Sequence, residues 1–193
     1  MEKLGGDFTI DFTQLRSDIL KELNNHIAPT KAIIQDQNGP RPQYPFLTCK
    51  FSTPYSPQQG QALETGKAIV SNNLDFKFDY QYTREEQPKI TISITAYSET
   101  LDEAETKAML AYRWFDFIGY EYLKEKDLIV VDRTDIQERD TLIIDDYERR
   151  KGFDVVLRTV DTDTRVVETI ESVIVTGKQI GRASCRERVS SPV

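Results

Sequence analysis

Across Lys89–Leu123 the apolar residues change their spacing once, from every second position to every third or fourth, and that change narrows the possible folds more than any other feature. Ile90, Ile92, Ile94 and Ala96 alternate with polar neighbours, which predicts a half-buried strand over Lys89–Tyr97. Thr100 with Glu103 then makes a capping box, and Ala104, Ala108, Ala111, Phe115, Ile118 and Tyr122 form a stripe widened by Met109, Leu110, Trp114 and Leu123. A helix to about Lys126 is expected, with its aromatic-rich stripe in the core. A one-sided strand followed at once by a one-sided helix asks for a sheet with helices laid on it.

The rest of the chain fits that frame. Phe12, Leu15, Ile19, Leu23 and Ile27 predict an amphipathic helix over Asp11–Ile27, capped by Asp11 and stopped by Pro29. Tyr44–Phe51 reads as a short strand entered through Gly39-Pro40-Arg41-Pro42. Ser52–Lys67, with four Pro/Gly and few large apolar groups, reads as a long loop. Leu74–Tyr82 alternates, and the short polar link Thr83–Pro88 predicts a hairpin with the following strand. Leu128–Val131 and Thr141–Ile144 add strands, and Gly152–Val160 with Arg165–Val175 forms a last pair around Asp161-Thr162-Asp163. The expected fold is α+β: a single domain whose mainly antiparallel sheet packs against two α-helices.

The 193 residues suffice for one core, and no Pro/Gly-rich linker divides them into two core-sized parts. With 30% charged residues and no apolar run near the roughly 18 residues of a membrane span, no membrane partner is expected. The N-terminal MEKLGGDFTIDF lacks a secretory-type apolar core, which points to the cytoplasm. Ile180–Val193 differs in composition from all that precedes it, and IGRASCRERV resembles the translation of a sequencing adapter. The domain is therefore expected over residues 1–179, with 180–193 a non-native tail containing Cys185. That tail holds three arginines and one glutamate, so without it the net charge moves from −7 to −9. An acidic body argues against general phosphate-backbone binding, so no direct nucleic-acid recognition is expected.

Chemistry is sparsely advertised. His26 is the only histidine, and no HExxH, CxxC, GxSxG or phosphate-loop glycine pattern accompanies it. An enzyme would have to use His26 with nearby carboxylates; the plainer reading is a helix-end imidazole. Glu99, Asp102, Glu103 and Glu105 suit the start of a helix, where carboxylates meet exposed N–H groups. Neither they nor Asp145-Asp146 form a spaced metal motif, so no cofactor and no metal is expected. The informative stretch is Glu138–Val156, where apolar runs bracket a cluster of opposite charges that reads as a charged turn. Thr83–Glu86, with Arg84 and Glu85, reads as a second charged turn, and the loop around Tyr55 as a segment able to drape over a neighbour. Such features fit an assembly surface better than a reaction centre.

YPFLTCKF at Tyr44–Phe51, ITISITAYSET at Ile90–Thr100, the aromatic AYRWFDFIG and IQERDTLIIDDYERRKGFDVVLRTVD at Ile136–Asp161 together resemble the neck and tail terminator family of long-tailed bacteriophages. The order and spacing of these segments carry the resemblance. It implies an α+β structural protein that works in the virion neck or tail after assembly in the bacterial cytoplasm. It further implies a ring, usually of six copies, that caps the head-proximal end of the tail tube, ends its polymerisation and meets the head–tail connector. The expected partners are thus the chain itself, the tail tube protein and the connector protein. Carried over by position, Tyr147, Glu148, Arg149, Arg150, Gly152, Phe153 and Asp154 form the matching interface segment, with Tyr147 and Phe153 as anchors. Arg84, Glu85 and Tyr55 join it as further interface candidates. The nearest competing reading is another neck component, a head-completion or connector-adaptor protein.

Overall fold

The structure is a computed structural model that describes residues 10–58, 60–73, 77–143 and 146–168. The expected tail at 180–193 and the expected strand beyond Glu168 lie outside the described residues, as do Leu74, Phe76, Ile144 and Asp145. The chain runs α1 (Phe12–Ile27), β1 (Lys31–Ile34), β2 (Phe46–Ser56), β3 (Leu63–Val70), β4 (Phe78–Glu86), β5 (Lys89–Ser98) and α2 (Leu101–Arg113). A π-helical turn (Trp114–Ile118) leads into α3 (Tyr120–Glu125), followed by β6 (Ile129–Arg133), β7 (Gln137–Glu138), β8 (Thr141–Ile143), β9 (Asp146–Arg158) and β10 (Asp161–Glu168). The class is α+β, as expected, with strands in two mostly antiparallel sheets.

α1 begins where the sequence asks: the Asp11 carboxylate accepts from the Thr13 and Gln14 amides at 2.9 and 3.0 Å. Near its end Asn24 joins the helix to the strand that follows. Its amide donates to Leu20 O and Ala32 O and accepts from Ala32 N, tying β1 to the last turn. α2 starts at Leu101, but the capping box does not form. Ser98 Oγ takes the Thr100 amide at 3.3 Å and donates to Glu103, so the Thr100 side chain makes no cap.

The expected single helix to Lys126 is interrupted. At Trp114 an extra residue enters the turn, and Gly119 N donates to Trp114 O at 2.8 Å. A Cβ on Gly119 would lie 2.6 Å from the Trp114 ring, so only glycine lets that ring fold back. The inserted residue rotates the apolar stripe: Trp114 and Phe115 stay buried, while Phe117 turns outward at 80% exposure and Ile118, expected in the core, follows it.

The main sheet has the order β1-β2-β5-β9-β6, with β1 parallel to β2 and the other pairings antiparallel; β7 and β8 also pair β9. Its helix side is the core. Ile90, Ile92, Ile94 and Ala96 meet Leu47 and Cys49 of β2, Phe153, Val155 and Leu157 of β9, and Ile19, Leu23, Ala108, Ala111 and Phe115 of the helical layer. Small alanines on α2 let the helix lie close to the sheet.

Three expectations of pairing fail together. β4 does not form a hairpin with β5, β10 does not pair β9, and Ser52–Lys67 is not a loop: β2 runs on to Ser56 and β3 begins at Leu63. Instead, β3, β4 and β10 form a second sheet in the order β10-β4-β3. The register is unbroken between the two. Lys89 faces Arg158 in the main sheet, and three residues further along each strand Glu86 faces Asp161 in the second. β4–β5 and β9–β10 are thus one long ribbon, interrupted at Gln87–Pro88 and Thr159–Val160, where Thr159 N donates to Pro88 O at 3.2 Å. Pro88 has no N–H to offer a ladder, which marks the interruption. The second sheet is an arm: the ribbon extended past its helices, with β3 added along β4.

Candidate functional site

Two surfaces follow from this architecture, and both are fixed by the two-residue period of strands. In β9, Glu148, Arg150, Gly152 and Asp154 point away from the helices, opposite the side that holds Phe153. Their cross-strand neighbours are Tyr97, Thr95 and Ser93 of β5, then Phe46 and Thr48 of β2. This open face carries two guanidinium centres.

In the first, the Glu148 carboxylate, 2% exposed, sits between Arg41 and Arg150. Arg150 Nε donates to Glu148 Oε2 at 2.7 Å, and Tyr44 donates its hydroxyl to Glu148 while accepting from Arg41 Nη2 at 2.5 Å. Arg41 stacks over Tyr44 and Phe46, Arg150 over Tyr97, and Phe46 and Tyr97 are parallel at 4.8 Å. In the second, Arg139 donates to Ser93 Oγ at 2.7 Å, to Thr95 Oγ1 at 3.2 Å and to Asp154 Oδ1 at 3.0 Å. Burial works to raise the Asp154 pKa, but hydrogen bonds from Ser93 and Arg139 and the Arg139 charge outweigh it, holding the carboxyl below its ordinary value. Asp140 behaves alike: burial opposes ionisation, and the Arg150 amide at 2.6 Å and Arg149 at 3.0 Å override it.

The charged stretch is therefore not a turn. Among the described residues β9 runs through it from Asp146, and alternation divides its members. Glu148 is buried in its own chain's ion pairs, Arg149 is paired with Asp140, and Gly152 packs so tightly that a Cβ would lie 2.6 Å from Ile94 O and 2.9 Å from Arg139 Nη1. Phe153 is corrected outright: at 0% exposure, edge-on to Tyr112 and Phe115, it is a core residue and has no surface to offer a partner. The backbone of Tyr147 pairs with Leu142; its side chain lies outside what is described.

Thr83–Glu86 is not a turn either but the proximal half of β4, where Arg84 and Glu85 point to opposite faces of the arm and Arg84 pairs with Glu86. Tyr55 is engaged within its own chain. Its hydroxyl lies 3.2 Å from both Glu86 Oε2 and Asp161 Oδ2 at the root of the arm, and burial with these two carboxylates pushes its pKa up to about 12.

The arm itself is amphipathic. Val70 faces Phe78, Ala68 and Val167 flank Tyr80, and Gly66 and Arg165 flank Tyr82, so aromatic and aliphatic groups share one side. Gln81, Thr83, Thr65, Lys67, Thr162 and Thr164 outnumber Leu63, Ile69 and Val166 on the other. Val70 is 78% and Phe78 52% exposed, and α2 packs on β5 and β9 rather than here.

His26 lies in the last turn of α1, and its buried Nε2 has no hydrogen-bond partner among the described residues. The histidine–carboxylate pair on which an enzyme would depend is not formed there. Sequence reasoning missed Arg41, Arg139 and Thr48. Gly39-Pro40-Arg41-Pro42 was the one available signal, since a proline-stiffened loop holds its arginine in place.

A family model described as phage neck terminator protein matches residues 17–182, which take in the main sheet, both guanidinium centres and the arm. The chain belongs to the phage neck terminator protein family. No curated protein matches it. As a neck terminator it is a structural component of the phage virion, located at the tail and neck, and its work is contact with other tail and head components. Among the described residues no helix is long and apolar enough to cross a membrane.

Proposed function

We propose that this neck terminator assembles as a ring, of six copies, on the head-proximal end of the tail tube, ends polymerisation of the tube protein and presents the seat for the head–tail connector. The observation that carries this reading is the arm: a three-stranded sheet whose aromatic side leaves Val70, Phe78 and Tyr82 substantially exposed. Exposed apolar patches of this kind mark protein contacts. A second bare patch, Phe117, Ile118 and Tyr120, lies on a different part of the chain. Two different surfaces on one subunit make head-to-tail contacts, which close into a ring or grow without limit. A ring on a tube end is the closed form.

The test is light scattering coupled to size exclusion on a chain ending at Gln179, with electron microscopy of tail tubes polymerised with and without it. A ring that holds tube length fixed is the expected result. A strict monomer that neither binds tube ends nor limits their length sinks the reading, and binding to the connector side alone moves the protein to a connector-adaptor role.

A further inference from the structure

The open face holds a cleft of about 230 Å³ between the loop that carries Gln35, Gln37 and Arg41 and the strand residues Thr48, Tyr97 and Arg150. Glu148 also lines it. We propose that this cleft takes the carboxylate of one Asp or Glu side chain from a neighbouring copy of the chain, an inference that rests on the ring reading above.

Charge is the first argument. Two guanidinium groups share one carboxylate, so the cleft carries a net positive charge in a chain whose net charge is −7. Among the described residues Arg41 uses Nη2, and Arg150 uses Nε and Nη2, which leaves the Nη1 edge of each guanidinium for another acceptor. The second argument is an unpaired hydroxyl. Thr48 Oγ1 is buried on the cleft wall and has no hydrogen-bond partner among the described residues, a costly state that an entering carboxylate oxygen relieves. The third is rigidity. Arg41 lies 4.9 Å over the Tyr44 ring and Arg150 5.0 Å over Tyr97, so both forks are held in place before any ligand arrives.

Size and charge then select the ligand. The cleft is smaller than the roughly 300 Å³ at which small-molecule sites begin, which suits one side chain and not a nucleotide. A carboxylate neutralises the single excess charge. A phosphate monoester, at about −2, overshoots it and faces Glu148. A long polyanion is repelled by the acidic body. The neighbouring copy is the source because it brings an excess of carboxylates, 32 acidic against 25 basic residues, to every contact in a ring.

The test uses the full chain as wild type, Arg41→Ala, Arg41→Lys and Thr48→Val. The Arg150 side-chain Nε–H resonance is followed by NMR at constant ionic strength during titration with acetate and, separately, inorganic phosphate. Light scattering measures self-association of the same samples, and urea midpoints confirm that each variant is folded. Acetate is expected to give a saturable shift that phosphate does not match. Arg41→Ala is expected to weaken acetate binding about tenfold or more and to raise the concentration needed for assembly by a similar factor. Arg41→Lys should recover only part of each, and Thr48→Val, which leaves both arginines paired with Glu148, should weaken acetate severalfold. Absence of a saturable shift, tighter binding of phosphate, or an Arg41→Ala protein that assembles like wild type overturns the proposal. In the last case the ring survives and only the carboxylate contact falls. A wild-type monomer overturns both.

Discussion

In the body, Ile90, Ile92 and Ile94 are wholly buried beneath the helical layer; in the arm, Phe78, Tyr80 and Tyr82 sit at positions of the same parity on the same ribbon, and Phe78 is half exposed. One alternation runs through both regions, but among the described residues only one of them has a helical layer packed on it. Apolar alternation thus states which side of a strand will be covered and is silent about what covers it. In the body the cover is local and the return is stability. Under the ring reading proposed above, the cover of the arm comes from another molecule, so its apolar residues contribute little to folding and much to assembly.

That contrast is sharpest under truncation. Phe153→Ala should cost about 3–5 kcal/mol of unfolding free energy by urea titration, because the ring leaves a cavity against Tyr112 and Phe115. Phe78→Ala should cost about 0.5 kcal/mol or less and instead raise the concentration needed for assembly. Equal costs for the two would break the distinction between body and arm.

Two glycines probe it next. Gly152→Ala drives a methyl into the Ile94 carbonyl inside the main sheet and should cost about 1–3 kcal/mol. Gly66→Ala meets first the Tyr80 ring, and that side chain can swing away on the exposed side of the arm. The second loss should be clearly smaller by the same urea measurement.

Acid should affect the body through its carboxylates. Asp140 and Asp154 have pKa values held below the ordinary 3.8, so they release stability that is present above that value and is lost as pH falls through their folded pKa values. Urea midpoints should therefore fall below about pH 4. Asp140→Asn should lower the midpoint at pH 7 by about 1.5 kcal/mol equivalent and flatten the acid limb; an unchanged acid limb would remove Asp140 from the account. The smallest effect is chemical. Burial pushes the Cys49 thiol up to about 12, so in a Cys185→Ser protein a thiol reagent at pH 8 should label nothing until urea opens the sheet.

Much of the body was legible because its periods are strong. Phe12 to Ile27 and Ile90 to Ala96 each declare one face, and Asp11 marks a start that the backbone uses. The arm was not legible for the complementary reason. Leu63–Val70 has neither side strongly apolar, since one face mixes Leu63 and Ile69 with Thr65 and Lys67 and the other includes Glu64 and Gly66, whose missing side chain makes room for Tyr80. The link Thr83–Pro88 looks like a hairpin because it is short and polar, but most of it is strand, and the reversal never occurs. At the open face, Glu148 and Arg150 were found by their charge, whereas Arg41 lies over 100 residues away in sequence and Arg139 on a separate edge segment. Pairing at that distance leaves no mark in local spacing. Alternation did hold the evidence that Phe153 faces inward, since Val155 and Leu157 share its parity.

The unbroken register across Gln87–Pro88 and Thr159–Val160 makes chain length at the joint a matter of odd and even. One residue added or removed on either strand would turn that strand's arm residues over, setting Phe78 and Tyr82 beside the threonines. Two residues would restore the order and lengthen the arm by one repeat of the strand, roughly 7 Å. Relatives that differ in reach should therefore differ here in steps of two.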